Sequence, residues 1–326
     1  PIFNDDRMQA KFVAQRIRDL IEEGTDPNEI AVLYRAHFHS MELQMELTRG
    51  EIPFRITSGI RFFEQAHIKD VVAFMRFVVN PRDELSFRRM VMLLPGIGPG
   101  MAQKLWIRWA ACPESRLETP PESFSALMLD FPVPAKSKTA WTQLCYTLDE
   151  LAPAGKIAGP ASMLISINEA VYDEYMQAAF ENYDQRRQDL LHLAGFSERF
   201  ESTEDFLSQL SLLGNTDDES AAADLSGGAV TLSTIHQAKG LEWSVVFLIG
   251  LCDGMFPHQR VIDDGDLAGL EEERRLFYVG ITRAKDQLYL TYPRWNCRAQ
   301  GGTFMQMPSR FLDEFPASLV EEWAVE

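Results

Sequence analysis

The stretch EEERRLFYVGITRAK, residues 271–285, sets three carboxylates and two guanidiniums ahead of an apolar run and closes on Arg283 and Lys285. Read as a helix, it carries Leu276, Phe277, Gly280, Ile281 and Ala284 along one buried stripe, since positions three and four apart share a face. Glu271, Arg275, Val279 and Arg283 fall on the neighbouring face, where Glu271 and Arg275 stand in the favourable acid-before-base order at i, i+4. Arg283 lacks such a partner: Val279 precedes it by four, Gln287 follows by four, and the nearby carboxylate is Asp286, three residues on. Two readings fit an arginine so placed. One is a solvated cation at a helix C-terminus, favoured by the macrodipole; the other is a guanidinium left for a partner from elsewhere. Gly280 predicts close packing, because a mid-helix glycine costs about 1 kcal/mol relative to alanine.

Two further stretches carry candidate chemistry. STIHQAKGLEW, 233–243, brings hydroxyl, imidazole, ammonium and carboxylate to the end of an apolar strand, the edge at which parallel α/β sheets bind ligands. A polar turn closed by a glycine cap accounts for the same residues. LPGIGPGMAQKLW, 94–106, resembles a helix-hairpin-helix turn: Gly96 and Gly98 let backbone N–H groups approach a phosphate, Ala102 permits close helix packing, and Leu105 and Trp106 reach the core. A purely structural glycine-proline turn is the alternative. The phosphate cradle G-x-x-x-x-G-K-[ST] is absent from these 326 residues; the only Gly-Lys pair, Gly155 and Lys156, has Glu150 and Ile157 where glycine and hydroxyl belong. SVVFLIGLCD resembles an apolar strand ending on a metal-binding carboxylate, Asp253, but no glutamate follows, and a buried strand reaching its turn explains it as well.

The elements that must hold these residues alternate at both ends of the chain. An amphipathic helix over about 6–22 leads through GTDPNE to the strand IAVLYR; a helix at about 39–49 and the strand IPFRIT follow. From about Ile68 to Leu213, IKDVVAFMRFVV, SFRRMVMLL, MAQKLWIRWA, TAWTQLCYTLDEL, a run from about 170 to 200 and TEDFLSQLSLL have helical periodicity around the proline-rich connection FPVPAK, and the acidic, small-residue stretch GNTDDESAAADLSGG, 214–228, closes that region as a linker. Alternation resumes with AVTLSTI, with SVVFLIGL, whose unbroken apolar run suits a strand buried on both faces, with the helix at 271–285, and with DQLYLTY. The fold class predicted is α/β, one parallel-sheet domain split in sequence by an inserted all-α domain.

Composition bounds the rest. The chain has 46% hydrophobic residues and 31 Lys and Arg against 48 Asp and Glu, a formal net charge of −17. Taken alone, that balance argues against nucleic acid, yet the acid is clumped at 217–219, 263–266 and 271–273, which leaves room for a basic groove. No apolar run approaches the roughly eighteen residues of a membrane span, and the N-terminal residues lack the pattern of a signal peptide; a cytoplasmic protein with no membrane partner is expected. Cys112, Cys145, Cys252 and Cys297 have no C-x-x-C spacing, so neither zinc nor a disulfide framework is indicated.

Together these stretches resemble the second half of superfamily 1 DNA helicases of the UvrD/Rep/PcrA family. VTLSTIHQAKGLEWSVVFLIGLCDGMFPH is similar to helicase motif V and its following strand, and EEERRLFYVGITRAK to motif VI; IAVLYRAHFHS, GIRFFEQAHIKDVVAFMR, PGIGPG and PSRFLDEFP resemble further family segments in the same order. The resemblance implies a second RecA-like domain over 1–62 and 227–326, interrupted by a helical accessory subdomain over 63–226. It implies an ATP-driven motor moving 3′ to 5′ on single-stranded DNA, with ATP and Mg2+ held between two RecA-like domains. Arg283 matches the catalytic arginine that reaches the γ-phosphate, and Glu242 the glutamate near the ribose. Thr234, His236, Arg35 and His37 match positions on the single strand, and Gly96, Ile97 and Gly98 match the turn that grips flanking duplex.

The departures are specific. His37 stands where the family usually has asparagine, Trp243 where it has phenylalanine, and RRQDLLHL at 186–193 follows R-x-E-N-L-x-E-L only loosely, which leaves the DNA role of Arg186 open. The phosphate-binding loop and the Mg2+ and catalytic carboxylates are expected on an N-terminal RecA-like domain preceding Pro1, so the chain is expected to be the C-terminal portion of a longer protein, inactive alone, with repair or replication proteins as further partners. The alternative is a standalone, non-catalytic DNA-binding or regulatory module on the same fold.

Overall fold

The computed structural model describes residues 2–3, 5–57, 62–116, 119–214, 228–298 and 302–323. In chain order, strand β1 (Ile2–Phe3) is followed by helix α1 (Asp6–Glu22), β2 (Ile30–Tyr34), α2 (Met41–Arg49) and β3 (Phe54–Ile56). A run of helices comes next: α3 (Ala66–Val79), α4 (Glu84–Val91), α5 (Pro99–Ala110), α6 (Phe124–Met128), α7 (Lys138–Leu151), α8 (Pro160–Ile167), α9 (Asp173–Ala179), α10 (Tyr183–Ser197) and α11 (Thr203–Gly214). The chain closes with β4 (Val230–Thr234), β5 (Trp243–Leu248), α12 (Gln259–Asp263), α13 (Leu267–Ile281), β6 (Ala284–Leu290), β7 (Tyr292–Pro293), β8 (Trp295–Arg298) and β9 (Gly302–Met305). Two compact units result, one of Pro1–Phe62 with Leu213–Glu326, the other of Phe63–Leu212. The linker read over 214–228 falls, apart from its end residues, outside the described residues, as do residues 59–61 of the segment GIRFFEQ.

The first unit is built on a five-stranded sheet in the order β3-β4-β2-β5-β6, parallel throughout. The continuous apolar runs find their reason here: side chains alternate between faces, and both faces are covered. Ile30, Val32 and Tyr34 of β2 face Val13 and Ile17 of α1 and Leu43 and Leu47 of α2. Ala31 and Leu33 face the opposite core, with Val246 and Leu248 of β5 and Phe277 of α13. Helix α1 starts because Asp5 caps it, accepting from the Met8 amide at 2.8 Å. Strands β3 and β6 are the edges, and along β6 Lys285, Asp286 and Gln287 stand exposed, the two charges among them discouraging further pairing. The hairpin β8–β9, antiparallel with Trp295 opposite Met305, has no counterpart in the sequence reading.

The second unit is helical, with no strand among its described residues. Phe77, Phe87, Trp109 and Phe124 form its aromatic centre, with ring centroids 5.2 to 5.9 Å apart. One expectation fails here. Trp106 is only half-buried, against Phe87, and Trp109, one helical turn beyond Leu105, is the fully buried tryptophan, donating Nε1–H to the Pro81 carbonyl at 2.8 Å.

Candidate functional site

Helix α13 ends sooner than its apolar periodicity suggests. Ile281 is its last residue, Thr282 caps it, and Ala284 already belongs to β6. The cause is tertiary: the Arg283 carbonyl accepts from the Trp243 amide at 2.9 Å, so pairing with β5 draws residue 284 into the sheet. Arg283 therefore sits in the turn between helix and strand. Its guanidinium is not idle: Nε donates to the Val279 carbonyl at 2.9 Å, Nη1 to the Leu241 carbonyl at 3.1 Å and Nη2 to Thr282 Oγ1 at 2.9 Å. All three acceptors are neutral, so the bonds orient the group without cancelling its charge. Gly280 does pack closely: a methyl there would stand 3.4 Å from Leu248 Cδ1 and 3.6 Å from Ile235 Cγ2.

The carboxylates of α13 pair differently from the i, i+4 expectation. Arg274 bonds Glu271 and also Glu314, and Arg275 bonds Glu272 at 3.1 Å, so Glu271 and Arg275 do not form the predicted pair. On the exposed face the i+3 neighbour lies as close as the i+4 one, and Glu314 draws Arg274 further. Glu273 turns inward with Phe277 and Gly280 and is buried.

The motif at 233–243 is divided between two edges of the sheet. Strands β4 and β5 both flank β2 and run parallel, so the connection must climb the full height of the sheet before β5 starts. Thr234 and His236 consequently lie at the carboxyl end of β4, and Glu242 at the amino end of β5. The expectation that hydroxyl, imidazole, ammonium and carboxylate share one strand end is thereby corrected. Ile235 and Ala238 anchor the connection in the core beside Phe277; His236, Lys239, Leu241 and Glu242 are exposed.

At the amino edge, Glu242 and Arg283 adjoin, each immediately preceding one of two paired strands. At the carboxyl edge lie Arg35, His37, Thr234 and His236, following β2 and β4. Arg35 gives Nε and Nη2 to Glu273 of α13, the shortest of these bonds being 2.7 Å. His37 opens a short 3-10 turn and sets its ring against Tyr34, with centroids 6.1 Å apart. Partial burial, then the Arg35 guanidinium, holds His236 below the ordinary histidine value, and the same two causes lower His258.

In the helical unit, Gly96 has φ of +81°, a conformation glycine adopts without penalty, and the Lys136 side chain lies across its open side. Ile97 is buried and Gly98 caps α5, with Pro99 in the first turn. Ser137 Oγ ties the turn from below, donating to the Pro95 carbonyl at 2.6 Å. Arg186 is engaged internally: it bonds Asn182 Oδ1 at 3.0 Å, meets His67 Nδ1 at 2.8 Å and stacks over Phe180 at 4.0 Å.

Sequence reasoning missed two partners. Glu273 could have been found from its spacing to Phe277 and Gly280, which puts it on the buried face. Asp253 receives Nη2 of Arg310 at 2.7 Å and the Arg310 amide at 3.0 Å; no local pattern reports that pairing across 57 residues.

The sequence model described as the UvrD-like helicase C-terminal domain matches residues 2–112 and 170–294. DNA helicase II of Escherichia coli (strain K12) is 32% identical over 334 aligned positions, covering 96% of this chain and 44% of that protein. The ATP-dependent DNA helicase PcrA of Bacillus subtilis (strain 168) is 34% identical over 327, covering 96% and 43%. The ATP-dependent DNA helicase UvrD1 of Mycobacterium tuberculosis (strain ATCC 25618 / H37Rv) is 32% identical over 352, covering 98% and 44%. The chain spans a little under half the length of these relatives.

Proposed function

The chain belongs to the UvrD-like helicase family through its C-terminal domain, and from that premise we propose that it supplies the ATP-completing and DNA-tracking surfaces of a 3′ to 5′ DNA helicase. The observation that carries the reading is the state of Arg283: a guanidinium oriented by three neutral acceptors, beside the exposed Glu242, at one edge of the sheet. An arginine so held retains its full charge for an anion. Phosphoryl transfer builds charge on equatorial oxygens, and an arginine delivered from a facing domain accelerates it by about 10³ to 10⁵. Bound ATP would supply the free energy for movement; Arg283 would take the γ-phosphate and Glu242 the ribose. The ligands for Mg2+ would lie on a separate N-terminal RecA-like domain, as the family resemblance implies; Asp253 is paired with Arg310.

At the opposite edge, Arg35, His37, Thr234 and His236 would follow a single strand, and the Gly96–Ile97–Gly98 turn would hold flanking duplex through backbone amides. The chain is acidic overall, so this contact depends on local placement of cations. We further propose the division 1–62, 63–226 and 227–326 as the domain organisation, a cytoplasmic setting, and repair or replication proteins as partners. The test uses this chain and the longer helicase of the proposal. The 326-residue chain should show no ATP hydrolysis stimulated by oligothymidylate, and the longer protein should open duplexes with a 3′ tail and not those with a 5′ tail. Turnover by the purified chain, or the opposite polarity, would sink the respective part of the reading.

A further inference from the structure

Arg35 and Glu273 are the least expected pair at the carboxyl edge. The carboxylate comes from α13, 238 residues along the chain, and its side chain is 7% exposed against 26% for Arg35. Glu273 takes the Nε and Nη2 positions of the guanidinium, with bonds of 2.7 to 3.1 Å. Among the described residues no other group bonds Arg35, so the Nη1 side of the fork is the one left for a ligand. Helix α13 cannot easily give way, because Phe277 is buried and Gly280 lies against Leu248 and Ile235.

Resting on the reading of Arg35 as a DNA contact, we propose that Glu273 is the positioning residue of the single-strand site: it fixes the Arg35 guanidinium so that its Nη1 side meets a backbone phosphate. The competing arrangement, in which phosphate and Glu273 contend for the same arginine, fits less well. Pulling Arg35 away would strand a buried carboxylate without a partner, which is costly, whereas a planar guanidinium can serve a carboxylate on one side and a phosphate on another. Arg35 and Glu273 both act on His236 and His258; Glu272 acts on His236 besides, and Arg260 on His258. His236 follows the same strand end as Thr234, so the positioned arginine and the imidazole would address one strand.

The test is a mutant cycle on the 326-residue chain, reading anisotropy of a fluorescein-labelled oligothymidylate between 50 and 200 mM salt. Arg35→Ala should weaken binding by roughly tenfold and lower the salt slope by about 0.7, the value for one phosphate contact on a single strand. Glu273→Ala should reproduce both changes, and the double variant should be no weaker than either. The near-isosteric Glu273→Gln carries the same test should Glu273→Ala fail to fold: it should weaken binding when Arg35 is present and have no effect in the Arg35→Ala background. A role in stability alone would persist in both backgrounds, and that result overturns the proposal. So does a Glu273 variant that binds as tightly as the unaltered chain, or more tightly. If Arg35→Ala changes neither affinity nor slope, or if the unaltered chain does not bind, the reading of the edge as a DNA site falls and takes the proposal with it. Loss with Arg35→Ala but not with Glu273→Ala overturns the positioning role alone.

Discussion

Arg283→Ala separates the structural from the chemical work of one side chain. The variant loses bonds to Val279, Leu241 and Thr282. The Val279 carbonyl keeps a partner, because Thr282 Oγ1 also donates to it at 3.0 Å, and the Leu241 bond lies at the surface, where water replaces it. No buried group is stranded, so the loss stays near the low end for net hydrogen-bond contributions, about 1–2 kcal/mol in all. For a unit of this size that corresponds to roughly 2–8 °C in Tm, measurable by scanning calorimetry of the chain. In the complete helicase the same change should lower kcat for ATP by about 10³-fold or more, some 4 kcal/mol of transition-state stabilisation. Affinity for single-stranded DNA should move less than about threefold. Arg283→Lys keeps the charge but not the three-way orientation and should recover only a small part of kcat. A kcat within tenfold of the unaltered enzyme, or DNA affinity falling in step with turnover, would refute the assignment of Arg283 to phosphate.

Other outcomes follow from the same geometry. Asp253→Asn should cost about 1 kcal/mol of stability or less, because Arg310 is partly exposed and keeps an amide acceptor in place of its charged partner, while the Mg2+ dependence of the complete enzyme stays unchanged; a shifted Mg2+ requirement would return Asp253 to the metal. Gly96→Ala imposes a positive φ on alanine and must displace Lys136; unfolding by urea should show a loss of about 1–2 kcal/mol, with weaker duplex binding. Both His236 and His258 are held below the ordinary value of 6.5, so the unfolded chain binds their protons more readily than the folded one. Their contribution is complete above pH 6.5 and is lost as pH falls toward the depressed folded values. Melting between pH 7.5 and 5.5 should show that decline, and replacing both with glutamine should flatten it.

The amino-acid sequence by itself determined the class of the fold and where most of its elements lie, though not the β8–β9 hairpin or α12. IAVLY and WSVVFL are apolar at nearly every position, and only a strand covered on both faces hides such a run; they became β2 and β5, neighbours in one sheet. Most of the helices from 66 to 214 were legible because apolar residues recur at the spacing of one helical face; the short α6 and the α8 helix at 160–167 were not. Local spacing also put Gly280 under a packing constraint, which Leu248 and Ile235 account for.

What the sequence could not contain was the identity of neighbours. Periodicity assigns a residue to a face but does not say which strand stands beside it. Ala284 suited the helical stripe, yet pairing with β5 took it, and Arg283 was left in a turn where carbonyls orient it. The segment 233–243 read as one site and became two ends of a climb past β2, because the order β4-β2-β5 is settled by long-range pairing. Arg35 and Glu273 meet across 238 residues, and Asp253 and Arg310 across 57. Each is an electrostatic choice among many possible partners, decided only when the sheet and α13 pack and desolvate the carboxylate that needs a cation.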